Sequence, residues 1–196
     1  MILPIFAYGE PVLRKKGVVI DKEYPKLAEL LENMFETMYQ AKGIGLAAPQ
    51  IGHPIRLFLV DASPFANDEE LTEEERNSLG ALKKVFINAQ IVDEVGEEWA
   101  FNEGCLSIPD VREDVFRRSD VVIEYQDENF KKHKKTFTGI AARIIQHEYD
   151  HIEGVLFTDK LSPLKKRLIK SKLSNISKGK VSIDYRMRFP NMKKKR

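Results

Sequence analysis

A chain of 196 residues with 42% apolar side chains is long enough for one compact domain and can fill its core, which excludes wholesale disorder. The net charge of +2 hides an asymmetry, because residues 165–196 carry 13 Lys/Arg against one acid, Asp184, while residues 1–164 carry 19 bases and 29 acids. No apolar run approaches the roughly 20 residues of a membrane span, and a single cysteine, Cys105, cannot form an internal disulfide.

The N-terminal Met1–Ala7 has neither the basic start and cleavage site of a secretory leader nor the pattern of an organelle presequence, so the expected location is the cytoplasm. Between Glu23 and Ala41, apolar residues at Leu27, Leu30, Leu31, Met34, Phe35 and Met38 keep the spacing of a helix lying on a core, and Gly43 stops it. Ile55–Asp61, Val85–Val92 and Val121–Tyr125 are rich in branched residues and predict strands. Ala62–Lys84 is polar, carries six acids from Asp68 to Glu75 and has no apolar stripe, so it reads as a surface insertion with one short helix at most. Asp127-Glu128-Asn129 predicts the turn of a hairpin whose second strand, lysine-rich from Lys131 to Lys135, faces solvent. A second helix is predicted from Thr138, a fitting N-cap, to Glu153, with Gly154 as its stop. A solvated basic helix over Pro163–Asn175 and a disordered basic end complete the chain. Helices and strands mix without regular alternation, an α+β pattern. Residues 1–176 read as one catalytic domain and 177–196 as a basic C-terminal extension.

The chemistry lies on the second of these helices. His147-Glu148-Tyr149-Asp150-His151 has the HExxH pattern, and four helical residues turn through about 400°, so both imidazoles lie on one face and can share an ion. Glu148 is rotated by about 100° from His147, a poor position for a third ligand but a good one for taking a proton from water beside the ion. The competing reading is a chance match on a solvated helix. Catalytic sites of this kind usually have three protein ligands and one open position. The third histidine of one protease class would fall at Phe157, and the downstream glutamate of another is missing because no Glu follows Glu153. The candidates left are Cys105, Asp159, Asp184, His53 and His133. A lone cysteine is more often a small buried hydrophobe. Cys105 is nevertheless favoured, since it follows Gly104 in a compact loop, Glu103–Ser107, and an ion would hold its thiol deprotonated. His53 and His133 read as exposed.

Three segments, Gly43-Ile44-Gly45-Leu46-Ala47-Ala48-Pro49-Gln50, Glu103-Gly104-Cys105-Leu106-Ser107 and Gln146-His147-Glu148-Tyr149-Asp150-His151, together resemble peptide deformylase, and the likeness runs from Leu3 to Leu164. The resemblance implies mixed, mostly antiparallel sheets packed around a central helix that carries HExxH, with a C-terminal helix. It implies hydrolysis of the N-formyl group from the initiator methionine of nascent polypeptides, with release of formate. It also implies metal ligation by Cys105, His147 and His151, general acid/base work by Glu148, and oxyanion stabilisation by the Gln50 side-chain amide and the Leu106 backbone N–H. Ile44, Phe101, Ile140 and Ile144 would line the methionine pocket, Gly45 would leave room for an extended substrate backbone, and Glu103 would support the site from behind. The ion implied is Fe2+ in cells, with Zn2+, Ni2+ or Co2+ equally suited to a sulfur and two nitrogens.

Two departures stand out, the Ala62–Lys84 insertion and the segment after Ser177. The +12 of residues 165–196 suits ribosomal RNA near emerging chains, with a solvated helix and a disordered end as the other reading; neither DNA nor membrane is an expected partner. Two other functions compete with deformylation. One is a metallopeptidase cutting internal bonds; the other is a nucleic-acid-binding protein with a closed structural metal site, which would need a fourth protein ligand.

Overall fold

The amphipathic stripe near the N-terminus folds as helix α1, Leu27–Gln40, with Leu30, Met34 and Met38 buried. This and all that follows comes from a computed structural model that describes residues 1–190; the terminal Lys193–Arg196 run lies outside them. No helix among the described residues is long and apolar enough to cross a membrane.

Five strands form one antiparallel sheet in the order β2 (Gly45–Ala47), β3 (Leu57–Asp61), β4 (Lys83–Cys105), β5 (Ile108–Gln126), β6 (Lys132–Thr138). All five residues of β3 are buried, which explains why Leu57–Val60 are apolar without alternation. β4 and β5 run for 23 and 19 residues, far beyond the strands expected at Val85–Val92 and Val121–Tyr125. They stay paired because the ladder slips at four places, between Ile87 and Gln90, Ile91 and Asp93, Val95 and Glu98, and Gly104 and Cys105. Asn88 and Gly96, both at positive φ, sit inside two of these slips, where an extra residue bends the ribbon. The bent hairpin leaves the core over Glu94–Glu98, which are exposed, and returns to it at Glu103 and Val111. Cys105 is accordingly not in a loop, as expected, but the last residue of β4, paired with Ile108 across the two-residue turn Leu106-Ser107.

Helix α3, Gly139–Ile152, carries HExxH and lies at the centre, with Ala142, Ile144, Ile145 and Ile152 buried together with Arg143, Gln146, Glu148 and His151. Thr138 stands at its N-cap but makes no side-chain cap bond. At its end Gly154 has φ +75°, and a Cβ there would come within 2.7 Å of the Arg14 carbonyl oxygen, so only glycine lets the N-terminal segment pass beneath. On one side of α3, Phe58 stacks on Phe86 with centroids 4.6 Å apart, and Val121, Ile123 and Tyr125 complete that part of the core.

The insertion contains the short helix α2, Glu73–Gly80, whose Thr72 and Glu75 cap it reciprocally. It is better anchored than its polarity suggests: Leu79 and Leu82 are buried, and Phe65 and Leu71 pack on the same cluster as Phe86. After helix α4, Pro163–Ser177, the chain turns back. Residues 181–189 alternate half-buried and exposed, and β7 (Met187–Arg188) pairs in parallel with β1 (Ile5–Phe6). A disordered end was the expectation; the described residues instead pack Val181, Met187 and Phe189 beside Leu13 and Phe157.

Candidate metal centre

The sulfur at the end of β4 meets the two imidazoles of α3. One donor atom each from Cys105, His147 and His151 lie within 4.8 Å of one another, and Cys105 Sγ is 3.3 Å from His151 Nε2. His53 and His133 lie elsewhere: His133 pairs with Asp127 at 2.7 Å, and His53 Nδ1 is 3.3 Å from the Tyr24 hydroxyl. Asp159 pairs with Arg14 and Asp184 with Lys42, so neither carboxylate belongs to the cluster.

Behind the imidazoles sits Glu103, buried, with four donors on its two oxygens. Arg117 donates through Nε to Oε1 (2.7 Å) and through Nη2 to Oε2 (3.0 Å); Arg143 Nη1 donates to Oε1 (2.9 Å); His147 Nδ1 lies 2.9 Å from Oε2. Burial alone would raise the Glu103 carboxyl, but His147 and Arg117 outweigh it and hold the group well below the usual carboxylate range. Its negative charge turns the Nδ1 edge of His147 outward from the cluster and leaves Nε2 facing Cys105. Arg117 also donates to Asp150 at 2.7 Å, which ties this network to the next turn of α3. Burial, with His147 and Arg117 close by, holds His151 well below its ordinary value, so it is neutral as a ligand must be.

Glu148 lies against the short strand β2. A Cβ at Gly45 would meet its carboxyl carbon at 2.7 Å, so the absence of a side chain there is what admits the carboxylate. Burial pushes the Glu148 carboxyl up to about 7, against the lowering influence of His147, and its Oε2 has no hydrogen-bond partner. Gln50 is held at both ends of its amide: Oε1 accepts from Ala47 N–H at 2.8 Å, which aims Nε2 at Ser107 Oγ (3.2 Å) and Cys105 Sγ (3.4 Å). Gly45, Gln50, Cys105 and Glu148 border an open cleft of about 800 Å³.

A profile of the family described as polypeptide deformylase matches residues 2–167. The chain belongs to the polypeptide deformylase family. Peptide deformylase of Christiangramia forsetii is 69% identical over the whole of both chains, and that of Flavobacterium johnsoniae 61% identical, again over the whole of both. Among solved structures, a peptide deformylase from Legionella pneumophila aligns with TM-score 0.76 at 35% identity, covering 92% of this chain and 98% of its own. Peptide deformylase 1B of Arabidopsis thaliana aligns with TM-score 0.77 at 32% identity, covering 91% and 92%. Like the rest of its family, this deformylase is a metal-dependent hydrolase that removes the N-formyl group from the initiator methionine of nascent polypeptides.

The residues around the deformylase cluster fit a divalent ion. One thiol and two imidazoles converge, His147 is oriented by a buried carboxylate, and Glu148 brings an unpartnered buried oxygen to the same cleft. Of the residues expected at the site, Ile44, Gly45, Gln50, Phe101, Glu103, Cys105, Leu106, Ile144, His147 and Glu148 border the cleft, and His151 lies at its back, 1% exposed. Ile140 is not among the residues bordering the cleft; it packs half-buried on the Phe86 cluster. Arg117, Arg143 and Tyr185 were not anticipated. Arg143 stands four residues before His147 on α3, and that spacing alone places it on the histidine face.

Proposed function

We propose that deformylation is carried out by Cys105, His147 and His151 as ligands of one divalent ion, Fe2+ in the cell, with Glu148 as general base and then general acid. The convergence of the three donor atoms within 4.8 Å carries this reading. When bound, the ion supplies Lewis acidity, which acidifies water and polarises the formyl group. Glu148, raised to about 7, accepts the proton of the attacking water and delivers it to the leaving amine of methionine. The Gln50 Nε2 and the Leu106 N–H donate to the oxygen on which charge develops. Ile44, Phe101 and Ile144 surround the methionine side chain, and the peptide backbone runs along Gly45 as an added strand.

The test is formate release from formyl-Met-Ala-Ser under anaerobic conditions, together with metal analysis. Glu148→Ala is expected to lose turnover by at least about 10²-fold with the ion retained, and Cys105→Ser to lose the ion itself. A Glu148→Ala protein that still turned over at the wild-type rate would remove the assignment.

We further propose that this reaction takes place in the cytoplasm, that residues 1–176 hold the metal ligands and the general base while residues 181–189 pack back to complete the catalytic domain, and that the basic segment 177–196 together with the exposed face of α4 meets the ribosome. Lys166, Arg167, Lys170 and Lys172 are exposed on that helix, and phosphate contacts of this kind weaken steeply with salt. Charge reversal at these four positions should abolish co-sedimentation with ribosomes at low salt while formyl-Met-Ala-Ser is hydrolysed at the wild-type rate. Unchanged co-sedimentation would sink the proposal.

A further inference from the structure

The turn between β4 and β5 carries the amide assigned to the oxyanion, yet its geometry is not fixed locally. A two-residue hairpin loop normally needs positive φ to follow the twist of its strands. Neither Leu106 nor Ser107 has it. Three bonds from outside the hairpin hold the turn instead: Gln50 Nε2 donates to Ser107 Oγ at 3.2 Å, Tyr8 N–H to the Ser107 carbonyl at 2.8 Å, and the Tyr185 hydroxyl to the Leu106 carbonyl at 2.8 Å. The last comes from the segment that follows α4. Its Val181, Ile183, Tyr185, Met187 and Phe189 alternate with exposed polar residues, and Ser182–Tyr185 form one border of the catalytic cleft. Beyond Tyr185 the segment is secured as β7 against β1, with Arg186 donating to the Ile2 carbonyl at 3.1 Å.

We infer that Tyr185 is a positioning residue for deformylation: residues 181–188 form a strap whose phenol holds the Leu106 carbonyl and so, through the φ and ψ of Leu106, sets the angle at which the N–H of the preceding peptide meets the developing oxyanion. This rests on the roles assigned above to Leu106 and the Cys/His/His set. The Leu106 side chain lies close to Gly43, where a Cβ would meet Leu106 Cδ1 at 2.8 Å, so the turn packs against the segment that leads into β2. Burial raises the Tyr185 phenol, which therefore remains a donor throughout the neutral range. The Lys42–Asp184 pair at 2.7 Å is exposed on both sides, and such pairs contribute little, so the phenol rather than this clasp carries the restraint.

Tyr185→Phe keeps the ring and removes only the bond. Loss of a whole oxyanion donor costs on the order of 10²- to 10³-fold, and a donor that is merely loosened should cost about tenfold in kcat. The expected result on formyl-Met-Ala-Ser is that fall in kcat, with KM within about twofold, metal content unchanged and thermal midpoint close to wild type. Unchanged kcat, a rise confined to KM, or a loss that merely tracks lost metal or lost fold would each overturn the inference. A second variant truncated after Lys180 should lower kcat at least as far; full turnover by a folded, metal-loaded truncate would overturn it independently. Glu148→Gln, assayed alongside, separates the two claims, because an active Glu148→Gln discredits the site itself, whereas an inactive one beside a fully active Tyr185→Phe discredits only the strap.

Discussion

Glu103 holds two guanidinium groups and one imidazole on two oxygens, and among the described residues the only other carboxylate paired with either arginine is Asp150, which touches Arg117 alone. Removing its charge leaves the buried Arg143 unpaired and Arg117 with Asp150 alone, and stranding a buried charge typically costs about 3–5 kcal/mol. Glu103→Gln preserves the shape but must turn an NH2 towards at least one of these donors. His147 then loses the acceptor that fixes its Nδ1 edge, and an outer partner of a metal-binding histidine is worth about 10- to 100-fold in metal affinity. The prediction is a loss of both, read by metal titration and by denaturant unfolding of the same preparation. Wild-type affinity in a protein destabilised by the expected amount would show that Glu103 holds the fold and not the ligand. The histidine pair itself was readable because its spacing is local to one helix; Glu103's partners were not, since Arg117 comes from β5 through pairing no local pattern encodes. Arg143 could have been found, being one turn from His147 on the same helix.

Among the elements, those whose burial follows a single period were predicted within a few residues: α1, α3, α4 and the hairpin into β6. The long β4–β5 ribbon was seen only where it is apolar, because Asp93–Glu98 and Arg112–Glu113 face water and look like loop in composition, while the pairing that makes them strand is supplied by the opposite chain. That error also misplaced Cys105, whose position at a strand end is what aims its sulfur at α3. The insertion was misjudged for the opposite reason, as Phe65, Leu71, Leu79 and Leu82 reach one cluster from irregular spacing that no helical or strand template detects. At the C-terminus a clear period of two, from Val181 to Phe189, was present and was outweighed by the density of lysine and arginine around it. Alternation with basic outward residues describes a strand packed on one side at least as well as it describes a solvated tail.

Taken whole, the molecule wraps its N-terminal segment and β3 around the C-terminal end of α3, and charge pairs seal that closure. Glu153, just past the helix, takes Arg56 Nη1 on one oxygen at 2.7 Å and Lys16 Nζ on the other at 2.8 Å, while Asp159 pairs with Arg14. Burial works to raise the Glu153 carboxyl, but Lys16 and Arg56 prevail and lower it; Asp159 is lowered in the same way by Arg14 and by the Leu156 N–H. A carboxyl held lower in the folded than in the unfolded chain binds fewer protons when folded, so its contribution is complete above the unfolded value, about 4.3 for glutamate, and is lost as pH falls through the folded one. Glu153→Gln should therefore lower stability by on the order of 1 kcal/mol at neutral pH, after allowance for solvent screening. The gap between wild type and variant should stay constant down to about pH 5.5 and close below about pH 4. Urea unfolding of both proteins across that range reads it directly. If the gap persisted undiminished at pH 3, the glutamate would be acting through shape and hydrogen bonds that glutamine spoils, and the charge pairs would not be what ties the N-terminal segment to the end of α3.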